Sequence, residues 1–159
     1  MRNNCEQIEY LLLKRGSSFS EIYPFLQEID KDFPVFLSSK CSLKDLANKF
    51  DQYADVIVAV NNNRVIGMIA AYISNSKEDL AFVSVLGISK EYRGIGIGNQ
   101  LLGKLIALAK EYQPVIKGLH LYTKHSNITA IKLYEKNGFK IVNFDNEIRQ
   151  NDLHMALHF

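Results

Sequence analysis

Glu91-Tyr92-Arg93-Gly94-Ile95-Gly96-Ile97-Gly98-Asn99-Gln100 is a stretch with three glycines at alternate positions in the middle of the chain. The apolar run from Phe82 to Ile88 precedes it and predicts a buried strand. Leucines at three- and four-residue spacing follow it and predict an amphipathic helix that reaches about Glu111. A strand, a glycine-rich turn and a helix N-terminus bring together free amide N–H groups and the positive end of a helix dipole. The stretch therefore predicts a phosphate or pyrophosphate site.

Three kinds of glycine-rich phosphate loop can be compared with this stretch. A Walker loop ends in Lys followed by Ser or Thr, and these glycines are not followed by that pair. A dinucleotide loop, Gly-x-Gly-x-x-Gly, matches Gly94 and Gly96, but its third position falls on Asn99, and the expected acidic residue is missing from residues 114–125. The pattern Arg/Gln-x-x-Gly-x-Gly/Ala is matched by Arg93, Gly96 and Gly98.

This third pattern resembles motif A of the GNAT acetyltransferase superfamily, in which the loop amides hold the pyrophosphate of acetyl-coenzyme A. A second stretch, Asn127-Ile-Thr-Ala-Ile-Lys-Leu-Tyr-Glu-Lys-Asn-Gly-Phe139, also resembles that family. An Asn followed by a helix and the tail Leu-Tyr-Glu-Lys-x-Gly-Phe recurs there. Because two separate motifs occur in the right order, the chain is identified as a member of the superfamily.

The resemblance implies which residues bind the cofactor. Around the pyrophosphate they are Arg93, Gly94, Ile95, Gly96, Ile97, Gly98 and Asn99, with Asn127 assisting. The main chain of Leu86, Gly87 and Ile88 is expected to line the pantetheine arm and to polarise the thioester carbonyl, and Gly87 suits a bulge or a close approach. Tyr134 is implied as the acid that gives a proton to the departing thiolate, with packing in the core as the alternative.

Composition excludes several classes of function. A hydrophobic content of 47% and a charged content of 23% are ordinary for a soluble globular protein. The net charge of +2 gives no electrostatic footprint for nucleic acid or an anionic membrane. Cys5 and Cys41 are too few for a disulfide framework and are read as free thiols, which favours a cytoplasmic location. The four histidines form no ligand pattern, so no metal is expected.

The order of the predicted elements indicates a single α/β domain over residues 1–159. Residues 1–54 are predicted to be helical and to lie on the acceptor side, with helices over 5–14, after Ser17 or Ser18, and after Ser42. Pro24 falls inside the second of these. Residues 55–159 predict the acetyl-CoA-binding core: a hairpin, the central strand, a helix, a strand, a helix capped by Asn127 and two closing strands. This is a GNAT-type mixed, largely antiparallel sheet flanked by helices.

These observations predict an N-acetyltransferase that passes the acetyl group of acetyl-CoA directly to a primary amine, with a small-molecule acceptor favoured. The aromatic, lightly acidic first third would suit a cationic or sugar-like amine, and its helices could pack in a homodimer. Asp30, Asp32, Glu78 and Asp79 are the carboxylates considered for a general base, but each is more typical of a solvated surface charge, so the sequence indicates no catalytic base among them. A CoA-binding module without catalysis, a protein N-terminal or lysine acetyltransferase, and a nucleotide-binding oxidoreductase are the alternatives.

Overall fold

The computed structural model describes residues 7–142 and 152–159 and contains a mixed α/β arrangement. Its strands are β1 (Glu9–Leu12), β2 (Asp55–Asn61), β3 (Arg64–Tyr72), β4 (Leu80–Ile88), β5 (Gly118–Lys124), β6 (Lys140–Ile141) and β7 (Asp152–His158). Its α-helices are α1 (Phe19–Ile29), α2 (Leu43–Tyr53), α3 (Ile97–Lys110) and α4 (Ile128–Lys136). Short 3₁₀ turns at Asp30–Asp32, Leu37–Ser39 and Lys90–Tyr92 connect them.

The seven strands form one sheet in the order β1-β2-β3-β4-β5-β7-β6. Neighbouring strands are antiparallel, with the exception of β4 and β5, which run parallel. The chain connects this parallel pair through the glycine-rich stretch and α3, because parallel neighbours need a crossover. The predicted hairpin is confirmed as β2 and β3, joined at Asn62 and Asn63, both of which have positive φ.

Each face of the sheet is covered by its own hydrophobic cluster. On one face, α3 inserts Leu101, Leu102 and Leu105, all completely buried, against strand residues that include Ile69 and Leu119. On the other face, α1 and α2 bury a second cluster, which contains Ile22, Phe25, Leu26, Ile29, Phe50 and Met68. The mixed sheet is therefore the middle layer of three, as expected when both of its faces are apolar.

The helix predicted over residues 5–14 is wrong in its described part, where the chain forms the edge strand β1. Glu9, Tyr10, Leu11 and Leu12 pair antiparallel with residues 57–60 of β2. Ile8 and Tyr10 pack against the α3 side of the sheet and Leu13 against the other, which is the alternation of a strand. The apolar spacing fitted a helix, but a short helix is marginally stable by itself, and the edge of β2 supplied hydrogen-bond partners for a strand.

Most other predicted boundaries agree with the structure. Ser18 precedes α1, Pro24 lies inside that helix, and the hydroxyl of Ser42 caps α2 by accepting from Asp45 N–H. The predicted strand 139–144 is represented by β6, whereas residues 143 and 144, like Cys5, lie outside the described residues. Cys41 is a free, exposed thiol. Across the described ranges, no helix combines the length and the apolar character needed to cross a membrane.

Candidate active site

The gap in the sheet between β4 and β5 is the centre of the candidate site. The described ladder between these strands pairs Leu80, Ala81 and Phe82 with Gly118, Leu119 and His120 and then stops. The remaining two thirds of β4 continue beside β3, while β5 continues beside β7. The two strands therefore separate into a V-shaped opening, and the main chain of β4 forms one edge of it.

A bulge in β4 lies where the two strands separate. Ala70 of β3 pairs with Val85, but the next residue, Ala71, pairs with Val83, so Ser84 is an extra residue on β4. A bulge of this kind reverses which side chains face each side of the sheet. Before it, Val83 packs on the α3 side, and after it Leu86 and Ile88 do so.

Gly87 allows another segment to approach the main chain closely, as predicted, whereas the bulge lies three residues earlier, at Ser84. Gly87 pairs in regular register with Met68, which excludes it as the bulged residue. A Cβ at this position would collide with the side chain of Ile29 at the end of α1. The missing side chain thus allows α1 to pack directly on the β4 strand at the edge of the gap.

The glycine-rich stretch forms a turn that only glycine adopts easily. Gly94 has φ +81° and Gly96 has φ +92°, both in the left-handed region. Gly96 is the N-cap of α3, and its carbonyl accepts the first helical hydrogen bond, from Gln100 N–H. The amides of Ile97, Gly98 and Asn99 lie ahead of that bond in the first turn and point out of the helix end. They form the helix terminus at which the sequence predicts an anion site.

Gly98, the third glycine of the stretch, has a different role, because it allows α3 and α4 to pack closely together. A Cβ on Gly98 would lie 3.3 Å from Cδ2 of Leu133 in α4. One residue further on, the Asn99 side-chain carbonyl accepts a hydrogen bond of 3.0 Å from the Asn137 amide, which also donates to Leu133 O at 2.9 Å. The N-terminus of α3 is therefore fastened to the C-terminal turn of α4.

Arg93 connects the glycine-rich turn to the segment after α1. Its Nε donates to Ile88 O at 3.1 Å, and its Nη2 lies 2.7 Å from Oδ2 of Asp32. Both partners of this ion pair are partly exposed, so its contribution to stability is small. The ion pair instead fixes a position: it holds the 3₁₀ turn at Asp30–Asp32 beside the glycine-rich turn.

One cleft of about 830 Å³ runs along the separated strands and collects residues from both faces of the sheet. From the α3 face it is lined by the glycine-rich turn and by α4 residues that include Ala130, Leu133 and Tyr134. From the α1 and α2 face it is lined by the segment 32–41 and by Leu46. Since these two groups belong to opposite faces of one sheet, the cleft passes through the gap between β4 and β5.

The chain can now be compared with known proteins. The model of the acetyltransferase (GNAT) family matches residues 22–139. That range covers the gap, the glycine-rich turn and α4.

The chain belongs to the GNAT family.

Individual relatives agree with this assignment. N-alpha-acetyltransferase 50 of Danio rerio is 26% identical over 103 residues, which cover 62% of this chain and 61% of that protein. A Bacillus anthracis protein assigned as a streptothricin acetyltransferase, solved with acetyl coenzyme A, is 28% identical with a TM-score of 0.57, over 67% of this chain and 63% of that one. The matched part of the chain thus spans less than two thirds of either relative.

Another solved structure superposes on nearly the whole chain. The PaiA N-acetyltransferase of Thermoplasma acidophilum, solved with coenzyme A, superposes with a TM-score of 0.74 at 22% identity. This superposition covers 96% of this chain and 99% of that one. The GNAT fold therefore extends over the N-terminal region, including β1, α1 and α2.

Tyr134 of this GNAT chain lies between the core and the cleft. It is 8% exposed, its ring lies 5.7 Å from that of Phe139, and it contributes to the cleft lining. Burial raises the pKa of its phenol to about 12. Tyr134 therefore belongs to the core and also contributes to the cleft lining, so packing does not exclude a chemical role, and that role stays a prediction.

Asn127 begins α4 at the wall of the cleft. Its side-chain oxygen accepts from Ala130 N–H at 3.4 Å, which is the N-cap expected from the sequence. The residue also lines the cleft, and the cap leaves its amide nitrogen uncommitted to Ala130. The cap and a ligand contact do not compete, because they use different atoms of the side chain.

Nearly all residues predicted to contact the cofactor line this one cleft: Leu86, Gly87, Ile88, Arg93, Gly94, Gly96, Ile97, Gly98, Asn99, Asn127 and Tyr134. Ile95 does not, and its side chain is 64% exposed. Ile97 contributes through its backbone, since its side chain is buried in the core beneath α3. Whether these residues hold the cofactor stays a prediction.

The sequence interpretation missed several residues of the lining. Phe82, Ser84 and Tyr122 lie where the strands part, and Lys124 and Lys136 add positive charge. Strand alternation places Phe82 and Tyr122 on the face opposite to the core residues Ala81 and Leu121, a signal present in the sequence. Their approach to the cleft depends on where β4 and β5 separate, which no local pattern encodes.

Two of the four histidines, His120 and His154, form a pair. Nδ1 of His120 lies 3.0 Å from Nε2 of His154, and the Tyr122 ring stacks on His154 with centroids 4.4 Å apart. Burial lowers the pKa of His120, and the neighbouring His154 lowers it further. Over the residues that the structure describes, no three His, Cys, Asp or Glu side chains are grouped to hold a metal ion.

Proposed function

We propose that this protein is an N-acetyltransferase that transfers the acetyl group of acetyl-CoA to a primary amine. The observation that carries the proposal is the gap between β4 and β5, with the glycine-rich turn at its end on the α3 face. A thioester carried on a long, flexible arm needs a narrow channel beside hydrogen-bonding main chain and a separate site for its charged phosphates. This cleft offers both within one continuous space.

The residues that would hold acetyl-CoA fit its chemistry. The first-turn amides of Ile97, Gly98 and Asn99 suit the pyrophosphate, because they are donors at the positive end of a helix. The edge of β4 from Ser84 to Ile88, which lies beyond the described ladder with β5, suits the amide groups of pantetheine as an added strand would. A backbone N–H on the same edge would polarise the thioester carbonyl.

The proposed reaction is one displacement in a ternary complex. The neutral amine forms a C–N bond with the thioester carbon, the C–S bond breaks with the sulfur leaving as a thiolate, and solvent water takes the proton that the nitrogen loses. Tyr134 supplies a hydrogen bond to the sulfur, since a phenol with a pKa of about 12 is fully protonated at neutral pH. Because ordinary thiols have a pKa near 8.5, the phenol stabilises the developing thiolate through this hydrogen bond while it keeps its own proton.

A calorimetric titration tests the cofactor. We expect the full chain to bind acetyl-CoA saturably and not to bind NADH. Gly96→Ala should weaken acetyl-CoA binding about tenfold or more, because an L residue at φ +92° is strained and its methyl group would enter the anion site. The matched control is Gly103→Ala in the same helix, where no atom lies within 4 Å of the added Cβ and binding should be unchanged.

Two results would contradict the proposal. Saturable NADH binding without acetyl-CoA binding would restore the oxidoreductase alternative. Acetyl-CoA binding without release of free thiol, measured with a broad panel of amines, would instead indicate a CoA-binding module.

A further inference from the structure

The half of the cleft that opens on the α1 and α2 face has an apolar wall beside several polar and charged residues. Its lining includes Phe33, Pro34, Val35, Leu37, Leu46 and Phe82. Val35 is 38% exposed, so part of this apolar surface remains accessible from the cleft. Water-exposed apolar surface inside a cleft favours a ligand with apolar groups of its own.

The carboxylates on this side are already engaged. Asp32 is paired with Arg93, and Asp152 is paired with Lys124. The third acidic residue, Asp30, accepts the Ser38 N–H at 2.8 Å and thereby fixes the turn that follows α1. None of these groups is positioned as a spare counter-ion for a second ammonium group of a ligand.

The charges of the lining residues also give no counter-ion for a second ammonium group. The described lining residues carry four cationic side chains, Lys40, Arg93, Lys124 and Lys136, and two carboxylates, Asp32 and Asp152. Arg93 and Lys124 are paired with the two carboxylates, so no further anionic side chain among the described lining residues is available to a second ammonium group.

We infer that the acceptor is a primary amine carried on an apolar group and without a second positive charge. The inference rests on the proposed function and specifies its substrate class, in place of the cationic or sugar-like amine that the acidic residues suggested in the sequence. Phe33, Val35 and Phe82 would contact the apolar group. The same surroundings lower the pKa of an entering amine, and this increases its neutral, nucleophilic fraction without a dedicated side-chain base.

The test compares acceptors of different charge and polarity. Initial rates are measured with acetyl-CoA and four amines: 2-phenylethylamine, a tetrapeptide with an N-terminal leucine, spermidine and kanamycin. We expect kcat/KM for one or both apolar amines to exceed that for spermidine and kanamycin about tenfold or more. The first two amines distinguish a small-molecule acceptor from a peptide N-terminus.

A charge placed in the apolar wall gives a second readout. Val35→Asp should lower kcat/KM for the apolar amines about tenfold and raise it for spermidine, with the acetyl-CoA affinity unchanged. Val115→Asp is the matched control, since Val115 is 69% exposed and lies outside the cleft lining. It should leave all four rates unchanged.

The outcomes separate this inference from the proposed function. If acetyl-CoA binds and spermidine or kanamycin is the preferred acceptor, the inference is overturned and the acetyltransferase proposal stands. Equal effects of Val35→Asp and Val115→Asp would also overturn it. If acetyl-CoA does not bind, the proposed function fails. If acetyl-CoA binds and no amine reacts, the binding of 2-phenylethylamine and of the peptide to CoA-loaded protein is measured by calorimetry. If neither of them binds, the inference is overturned.

Discussion

Single residues in the candidate site combine a packing role with a chemical one. Tyr134 belongs to the core beneath α3, and its burial keeps its phenol protonated far above neutral pH. Gly87 lacks a side chain because α1 packs against it, and the same residue lies on the strand edge that would bind pantetheine. Such residues cannot be assigned to stability or to function alone.

The role of Tyr134 can be tested by removing its hydroxyl. Tyr134→Phe keeps the ring that packs on Phe139, so the protein should fold normally. We expect kcat to fall roughly 10²-fold and the acetyl-CoA affinity to change little, because the hydrogen bond is made to the developing thiolate. Tyr112→Phe, at a partly exposed ring outside the cleft lining, is the control. Unchanged turnover in Tyr134→Phe would leave the residue a packing role only.

At the scale of elements, α3 and α4 act as one unit. Gly98 allows α3 to approach Leu133, and the Asn137 amide joins Asn99 to the last turn of α4. The proposed pyrophosphate site at the start of α3 and Tyr134 on α4 are therefore held in a fixed relation. The two sequence motifs are parts of a single helix–helix contact.

Gly103 in α3 offers a test of helix stability that is separate from binding. It is exposed in the helix interior, and an added Cβ would meet no atom within 4 Å. Gly103→Ala should raise the free energy of unfolding by about 0.5–1 kcal/mol, because glycine loses more backbone entropy in a helix than alanine does. Urea denaturation measures the change. A decrease in stability would show that the environment of Gly103 is more crowded than the structure indicates.

At the scale of the whole molecule, the sheet both separates and connects two hydrophobic layers. The α3 and α4 layer carries the glycine-rich turn, and the α1 and α2 layer carries the apolar wall. The cleft joins them where β4 and β5 separate. In the proposed reaction, acetyl-CoA and the amine therefore reach the same point from opposite faces of the sheet.

The His120–His154 pair at the apex of the gap should make the stability of the fold sensitive to acid. Burial, reinforced by His154, lowers the pKa of His120, and Glu78 opposes this weakly. At pH values between the lowered pKa of His120 and the ordinary histidine value near 6.5, His120 binds a proton in the unfolded chain but not in the folded chain. The free energy of unfolding should therefore fall as the pH drops through this range.

Urea denaturation between pH 7.5 and 5.5 checks this expectation. We expect His120→Gln to show a smaller loss of stability over that interval than the unmodified protein. His125→Gln, at an exposed position just after β5, is the matched control and should retain the original slope. If His120→Gln and His125→Gln have the same slope, the acid sensitivity arises elsewhere.

The amino-acid sequence by itself determined the parts of this protein whose signals are local. The left-handed glycines, the caps Ser42 and Asn127, the hairpin at Asn62 and the apolar periods of α3 and β4 depend on neighbouring residues, so their positions were predictable. The two motifs built from these elements were sufficient to indicate the family, and most of the site residues predicted from the sequence line the cleft.

Only the tertiary structure decided the features that depend on partners distant in the chain. Residues 9–12 form a strand because the edge of β2 was available, whereas their own spacing favoured a helix. The bulge at Ser84 depends on the register with β3, and the neutralisation of Asp32 depends on Arg93, which is 61 residues away. Pairing, register and charge compensation are properties of the assembled fold, because each needs two segments that the sequence places far apart.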